Sequence, residues 1–388
     1  MKPTFPIEEF RSLQTPFYYY DMELLESTLQ KVSSLLSAHD DWHMHYAIKA
    51  NSNPRLLRII SSMGMGADCV SGGEVEAAVE AGFPPQSIVF AGVGKADWEI
   101  TTALHHNIGC FNVESEPELL IINELAGIQG KKAPVALRVN PDVGAHTHSN
   151  ITTGLAENKF GISKEQLSDI MQKALSLPNI VFRGLHFHIG SQILDMADFV
   201  MLCNRINELS SSLLRQGLPV GDINVGGGLG VEYEHPDCFP YANFEGYFDT
   251  FKRHLHLPAG SHLHFELGRS LVAPCGSLIT RVLYVKEGIH KRFAIVDGSM
   301  TELIRPALYQ AFHRIQNISS SAPVTRYDIV GPVCESSDVF GKAVDLPQCR
   351  RGDFIALRTA GAYGETMSSQ YNLRPLPKTY FSTDFKFV

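Results

Sequence analysis

The sequence contains no Cys-x-x-Cys pair, although it holds seven cysteines, at Cys69, Cys110, Cys203, Cys238, Cys275, Cys334 and Cys349. They are scattered singly and odd in number. That pattern argues against a disulfide framework and against a thiolate zinc site. No apolar run approaches membrane-spanning length, so no membrane contact is expected. MKPTFPIEEF lacks the apolar core of a signal peptide, which points to a cytoplasmic protein. Basic charge is not in excess. Lys and Arg number 33 against 41 Asp and Glu, a net charge of −8, which argues against a nucleic-acid surface. There is no low-complexity tract and no short-period repeat. What remains is ordinary globular composition, 44% hydrophobic and 19% charged, over 388 residues, enough for two domains.

Tyr46-Ala47-Ile48-Lys49-Ala50-Asn51 organises the chain. An apolar run ends in a lone lysine, and Asn53-Pro54 then breaks it. The pattern reads as a buried strand presenting one amine at its C-terminal end. An apolar setting penalises the charged amine, lowers its pKa and makes it a better nucleophile. The alternative is a lysine snorkelling from a strand end.

Strand-like segments end near Lys49, Val70, Gly92, Val113, Asn140, Gly190, Gly226 and Gly268. Helical spacing lies between most of them, at 54–63, 73–81, 117–125, 164–177 and 196–216. Eight β–α repeats match the size of a closed (β/α)8 TIM barrel. No Gly-x-Gly-x-x-Gly follows the first strand, which counts against an open dinucleotide-binding sheet. After about Pro274, strands follow one another with few helices, at 278–285, 293–296, 327–330, 353–359 and 380–388. A short helical stretch at 301–311 interrupts them. The expected division is a barrel over 22–262 and a C-terminal β-sandwich or barrel-like domain over 263–388. The strand at 17–20 contributes to the β domain.

A barrel of this kind places its active site at the C-terminal ends of its strands. The polar residues there are Lys49, Asp68, His188, the glycines Gly226-Gly227-Gly228, and Glu266. The glycine loop follows the seventh strand, where barrels often bind phosphate through backbone N–H groups; a tight turn is the other reading. Glu266 ends the eighth strand, and Arg269 beside it suits a phosphate or carboxylate, or else a structural ion pair. His186 and His188 share one strand face. Further zinc ligands at suitable spacing are not evident, so no metal is expected. His188 suits stacking on a flat cofactor, and His186 can equally be a satisfied core histidine. Arg305 and Tyr309, four apart on one helix face, suit a carboxylate. Cys334-Glu335 pairs a thiol with an acid, and Tyr363 is flanked by small residues.

A strand-end lysine, a late glycine loop and a late strand-end glutamate together suggest pyridoxal phosphate. The set resembles the barrel-type, alanine-racemase-like pyridoxal-phosphate enzymes, specifically the group of ornithine and diaminopimelate decarboxylases. The resemblance runs from Tyr46 to Asn372. It is carried by YAIKAN, HTHSNITTGLAENKFGI, GLHFHIGSQ, NVGGGLG, ELGRS, RPALY, GPVCESSDVF, AGAYG and MSSQYN. It implies that Lys49 carries the cofactor covalently, His188 stacks on its ring and Glu266 pairs with its nitrogen. Ser191, Gly228, Gly268, Arg269 and Tyr363 would hold the phosphate, and Asp68 matches a cofactor-site acid. Arg269, Arg305, Tyr309, Glu335 and Tyr363 would hold the substrate, and Cys334 would return the proton. It also implies a homodimer with shared sites. The expected reaction is decarboxylation of meso-diaminopimelate to L-lysine and carbon dioxide, the last step of lysine biosynthesis. The alternatives are another decarboxylation of the group, of ornithine, arginine or carboxynorspermidine, and a silent cofactor-binding regulator. Glu266 argues against alanine racemase, whose family places an arginine at the pyridine nitrogen. Leu267 departs from the family's usual proline.

Overall fold

A computed structural model describes residues 5–142 and 159–385. Most of the HTHSNITTGLAENKFGI stretch, from 146 to 158, lies outside the described residues. The chain divides into two compact units. One comprises Leu29–Gly230 and Asn243–Gly268, and the other comprises Met1–Thr28, Val231–Ala242 and Arg269–Val388.

The first unit is a closed barrel of eight parallel strands. They are Trp42–Ala47, Gly66–Cys69, Ile88–Phe90, Cys110–Val113, Ala133–Arg138, Ile180–His186, Asp222–Asn224 and Leu263–Leu267. Each pairs with the next, and Leu263–Leu267 closes the ring against Trp42–Ala47. Most strand positions are buried, as expected where helices cover a parallel sheet. Helix starts are written into the sequence by side-chain caps. Asn53 accepts from Arg55 N, Ser71 from Glu74 N, Ser115 from Glu118 N, and Asp195 from Ala197 N. Each such cap stabilises its helix by about 1 kcal/mol. Together they mark where four of the strand-end loops turn into helices.

The eight strands fall where the sequence places them, but their ends differ: the sixth stops at His186, so His188 lies beyond it and the two histidines do not share one strand face. The first strand ends at Ala47, and Lys49 sits in a single 3-10 turn, Ile48–Ala50. The expected division at 262 and 263 would also cut off Leu263–Leu267, the strand that closes the barrel. The first unit runs to Gly268, with residues 231–242 assigned to the other unit.

The second unit is built on an eight-stranded sheet, antiparallel except for two pairings. Phe17–Tyr20 belongs to it, antiparallel to Gly276–Glu287 and parallel to Lys378–Phe381. Phe10, Phe17, Tyr19, Ile279, Phe354 and Ala356 form a core cluster on it. Two strands escaped the sequence reading, Ile315–Asn317 and Val339–Pro347. The first is only three residues long. The second has a largely solvent-facing burial pattern and carries Lys342 and Asp345, so it lacks a clear apolar alternation. The helix expected over 301–311 is confined to Arg305–Tyr309. Pro306 opens it, and Gln310 ends it in a left-handed conformation.

Towards the N-terminal ends of the strands, the first and eighth segments bring four histidines together. His43 Nε2 and His262 Nδ1 are 2.8 Å apart, and His45 Nε2 and His264 Nδ1 are 2.9 Å apart. Burial, followed by the neighbouring histidines, pushes His264 down to about 2. Burial also lowers His43 and His45. Below pH 6.5 the unfolded chain binds protons that this folded row refuses, so stability falls as pH falls. His264 alone contributes a slope of about 1.4 kcal/mol per pH unit there. Urea unfolding at pH 7.5, 6.5, 5.5 and 5.0 should show this slope reduced by about that amount in His264→Gln. Parallel curves for the two proteins would show that the row does not set the acid sensitivity.

Candidate active site

The barrel gathers one set of polar side chains at the C-terminal ends of its strands. Tyr46 Oη donates to the Asn51 carbonyl at 2.8 Å, which holds the turn carrying Lys49. Lys49 Nζ donates to Asp68 Oδ2 at 2.6 Å, and the lysine side chain is 37% exposed. The amine is therefore ion-paired rather than set among apolar groups, a correction to the strand-end picture. Asp68 is fully buried. Burial first, and then the charge of Glu266, push its carboxyl up to about 6 against the opposing pull of Lys49. Its Oδ1 has no hydrogen-bond partner among the described residues.

Glu266 lies near the end of the eighth strand and is buried. Asn224 Nδ2 donates to its Oε1 at 2.7 Å and Asn112 Nδ2 at 3.1 Å, while His186 Nε2 lies 3.0 Å from Oε2. Burial alone would raise this carboxyl. The charge and hydrogen bond of His186, with Lys49 beyond, outweigh burial and hold it well below the usual carboxylate range. The donors around it thus favour Glu266 as a buried carboxylate. Asn224 also accepts from Gly226 N at 2.9 Å, tying the carboxylate to the glycine loop.

Gly227 N donates to His188 Nδ1 at 3.3 Å, so that nitrogen carries no proton. Burial, then the charges of Arg138 and Lys49, press His188 down to about 3. The result is a neutral, oriented ring beside the glycine loop. The Gly228 carbonyl accepts from Ile193 N at 2.9 Å, joining this loop to the one that carries Ser191. A Cβ on Gly227 would collide with the Glu266 carbonyl, so only glycine lets the loop run this close to the strand. Gly268 packs on Ala47 and Ala50, flanking the lysine turn. Leu267 is buried as the last residue of the eighth strand and stands opposite Tyr46 in the ladder. A leucine there is compatible with an unbroken strand.

The second unit gathers a different set. Arg269 Nη1 donates to Tyr233 Oη at 2.8 Å, and its guanidinium lies 4.8 Å from the Tyr363 ring centre. Arg305 is buried at 5% exposure, 4.9 Å from the Tyr233 ring centre, with Nη1 2.7 Å from His313 Nε2. Tyr309, four residues on, is half-buried on the same short helix. Cys334 and Glu335 are exposed, on the connection between the paired strands Val324–Val330 and Val339–Pro347. The buried carboxylate of Asp338 anchors that connection through the N–H groups of Val333 and Met300. Glu335 Oε1 accepts from Tyr371 Oη at 2.8 Å.

Sequence reasoning did not select Asn112, Asn224, Tyr233, His313 or Asp338 as site residues, and it left His186 open. Each asparagine looked like an ordinary strand residue. Their only signal was that buried amides need partners. No cluster of three or more His, Cys, Asp or Glu suited to a metal ion occurs among the described residues.

Residues 25–273 match the pyridoxal binding domain of the pyridoxal-dependent decarboxylases. The chain belongs to that family of carboxy-lyases, and its cofactor is pyridoxal 5'-phosphate. Among curated relatives it is 60% identical to a diaminopimelate decarboxylase of Bacteroides thetaiotaomicron, over 99% of this chain and 100% of that one. It is 45% identical to a diaminopimelate decarboxylase of Vibrio cholerae, over 93% and 86% of the two chains. Among solved structures, diaminopimelate decarboxylase from Helicobacter pylori complexed with L-lysine is similar, with a TM-score of 0.90 and 38% identity over 98% of this chain and 94% of that one.

The barrel residues fit this cofactor. A primary amine, a fixed anion, a neutral flat ring and a glycine loop with free approach are the groups an aldehyde, a pyridine nitrogen, an aromatic face and a phosphate require. Lys49→Ala protein should lose the visible absorbance band of the bound cofactor after dialysis; a retained band would place the attachment elsewhere. Asn224→Ala removes a donor from a buried anion, and should lower unfolding stability by about 1–3 kcal/mol and weaken cofactor retention. Thermal melts with and without added cofactor measure both effects.

Proposed function

We propose that this chain decarboxylates meso-diaminopimelate to L-lysine and carbon dioxide, the closing step of lysine biosynthesis. The observation that carries this reading is Arg305. It is a buried guanidinium whose described partners are an imidazole and a phenol, and no described carboxylate pairs with it. A buried cation with uncharged neighbours favours an incoming anion. A substrate with a second, distal carboxylate supplies one, whereas ornithine and arginine have none. The names of the relatives agree with this choice.

Bound pyridoxal phosphate supplies an electron sink for the charge left when carbon dioxide departs. The chain's own residues do the rest. Lys49 would hold the cofactor through its amine, and that amine, placed beside Asp68, would be able to carry a proton. Glu266, ionised and clamped, keeps a proton on the pyridine nitrogen. Neutral His188 offers its flat face without adding charge. Ser191, Gly228, Gly268, Arg269 and Tyr363 bind the phosphate. Arg269, Arg305, Tyr309, Glu335 and Tyr363 bind substrate, with Glu335 suited to the distal ammonium. Cys334 returns a proton to the α-carbon. Cys334 and Glu335 stand exposed on their connection, in keeping with a homodimer in which each copy lends them to the other's site. A net charge of −8, with no helix long and apolar enough to cross a membrane among the described residues, fits a cytoplasmic enzyme without a nucleic-acid partner.

The direct test is lysine and carbon dioxide release from meso-diaminopimelate with added cofactor, run beside L-ornithine, L-arginine and carboxynorspermidine. Release from diaminopimelate alone supports the reading. Release only from another substrate keeps the chemistry and overturns the role given to Arg305. No release with cofactor bound favours a silent cofactor-binding protein. Arg305→Ala should lower kcat/KM for diaminopimelate by about 10²–10³-fold, or about 3–4 kcal/mol, with the cofactor band unchanged.

A further inference from the structure

The groups behind Arg305 are as unusual as the arginine itself. His313 is buried, and its Nδ1 lies 2.9 Å from the Arg358 carbonyl oxygen. A carbonyl can only accept, so Nδ1 carries the hydrogen and donates. The other nitrogen, Nε2, is then a lone pair, and Arg305 Nη1 donates to it at 2.7 Å. A ring that donates at one nitrogen and accepts at the other is uncharged. Protonation of His313 would aim a second N–H at a guanidinium. Burial and the adjoining Arg305 charge accordingly press its pKa down to about 3.

Tyr233 completes the arrangement. It is buried, its hydroxyl accepts from Arg269 at 2.8 Å, and its ring lies 4.9 Å below the Arg305 guanidinium. The His313 ring meets the Tyr233 ring edge-on, with centroids 5.2 Å apart at 80°. Buried arginines are ordinarily paired with carboxylates. Here the described neighbours fix the geometry of Arg305 through the His313 nitrogen, the Tyr233 hydroxyl and the Tyr233 ring face, none of which carries a full negative charge.

We propose that His313 and Tyr233 are positioning residues that hold Arg305 without neutralising it, so that the charge selectivity of the substrate pocket is set one layer behind the pocket. This rests on the reading that Arg305 receives the distal carboxylate of the substrate. A glutamate at position 313 would supply that anion internally and close the subsite to an external one. Glutamine there would keep an acceptor for Arg305 and a donor for the Arg358 carbonyl, with no charge.

The experiment uses the holoenzyme and reads binding separately from turnover. The probe is pimelate, the seven-carbon dicarboxylate without amino groups, titrated calorimetrically into wild type, H313Q, H313E and Y233F. Steady-state kinetics on diaminopimelate, the visible cofactor band and the urea midpoint are measured on the same preparations. H313E should weaken pimelate more than 30-fold and raise KM by a similar factor, with the cofactor band unchanged. H313Q, the conservative rescue, should stay within threefold of wild type. Y233F, which keeps the ring but removes the hydroxyl, should weaken pimelate about tenfold and change KM more than kcat. This arm stands even if H313E does not fold. Equal pimelate affinity in H313E and H313Q, or wild-type affinity in Y233F, would overturn the proposal. Failure of wild type to release lysine from diaminopimelate would sink the functional reading instead, and the pimelate affinities would still judge the positioning claim.

Discussion

The barrel unit is organised around one carboxylate. Glu266 stands on the eighth strand and takes hydrogen bonds from Asn112 on the fourth, His186 on the sixth and Asn224 on the seventh. Four strands thus meet at one anion, and they do so only because the sheet closes. An isolated carboxylate in such an interior would cost many kcal/mol and would simply take up a proton. Three donors of about 1–3 kcal/mol each, with Lys49 at longer range, reverse that preference. The constraint reaches beyond the carboxylate. Asn224 holds Gly226, the next glycine holds His188, and the Gly228 carbonyl holds the loop carrying Ser191. The placement of His188 and of the glycine loop is thereby tied to Glu266.

That dependence explains which parts of the molecule were legible in the sequence. Strands and helices were legible because their signals are local. Apolar runs ending in small or polar residues gave all eight barrel strands, and helical spacing gave most of the segments between them. The ends of strands, where barrels keep their chemistry, then singled out Lys49, Asp68, His188 and Glu266. The supporting residues were not legible, because nothing in FNV or DIN says that two asparagines on distant strands face one glutamate. Barrel closure supplies that information, and closure is a property of the whole ring. The domain boundary, expected between residues 262 and 263, was blurred for a related reason. Composition changes near Pro274, whereas the chain leaves the barrel after Gly268 and had already contributed residues 231–242 to the other unit. Val339–Pro347 failed because a strand turned largely to solvent has no apolar alternation to read. Cys334 and Glu335 were singled out as a thiol beside an acid and given roles by family resemblance, and exposure on a connection within one chain gives those roles no support by itself.

The two units handle buried charge in opposite ways, and the contrast bears on function. Glu266 is saturated with donors. Its charge is held by those donors, as the role proposed for it at a pyridine nitrogen requires. Arg305 is restrained but not compensated. Burial, and then the like charge of Arg269, lower its pKa even though Tyr233 works the other way. A structural arginine would have been given a carboxylate, as Arg138 is given Glu114 at 2.6 Å. The contrast between the paired Arg138 and the uncompensated Arg305 is what supports the proposal that Arg305 receives a ligand.

An undercompensated cation also gives discrimination that an apolar pocket cannot. Adding or removing a methylene changes binding by about 1–3 kcal/mol, so a merely apolar cleft separates amino acids of similar length poorly. A buried charge changes the comparison. On the proposed reading, a substrate that brings a carboxylate relieves the desolvation already imposed on Arg305, while one that lacks it leaves the cation buried and unpaired. The penalty falls on the wrong substrate rather than the reward on the right one, and it needs no contact with the part of the molecule that reacts. His313 and Tyr233 matter because they make that penalty available: a guanidinium free to swing into solvent, or already paired with a carboxylate, would impose none.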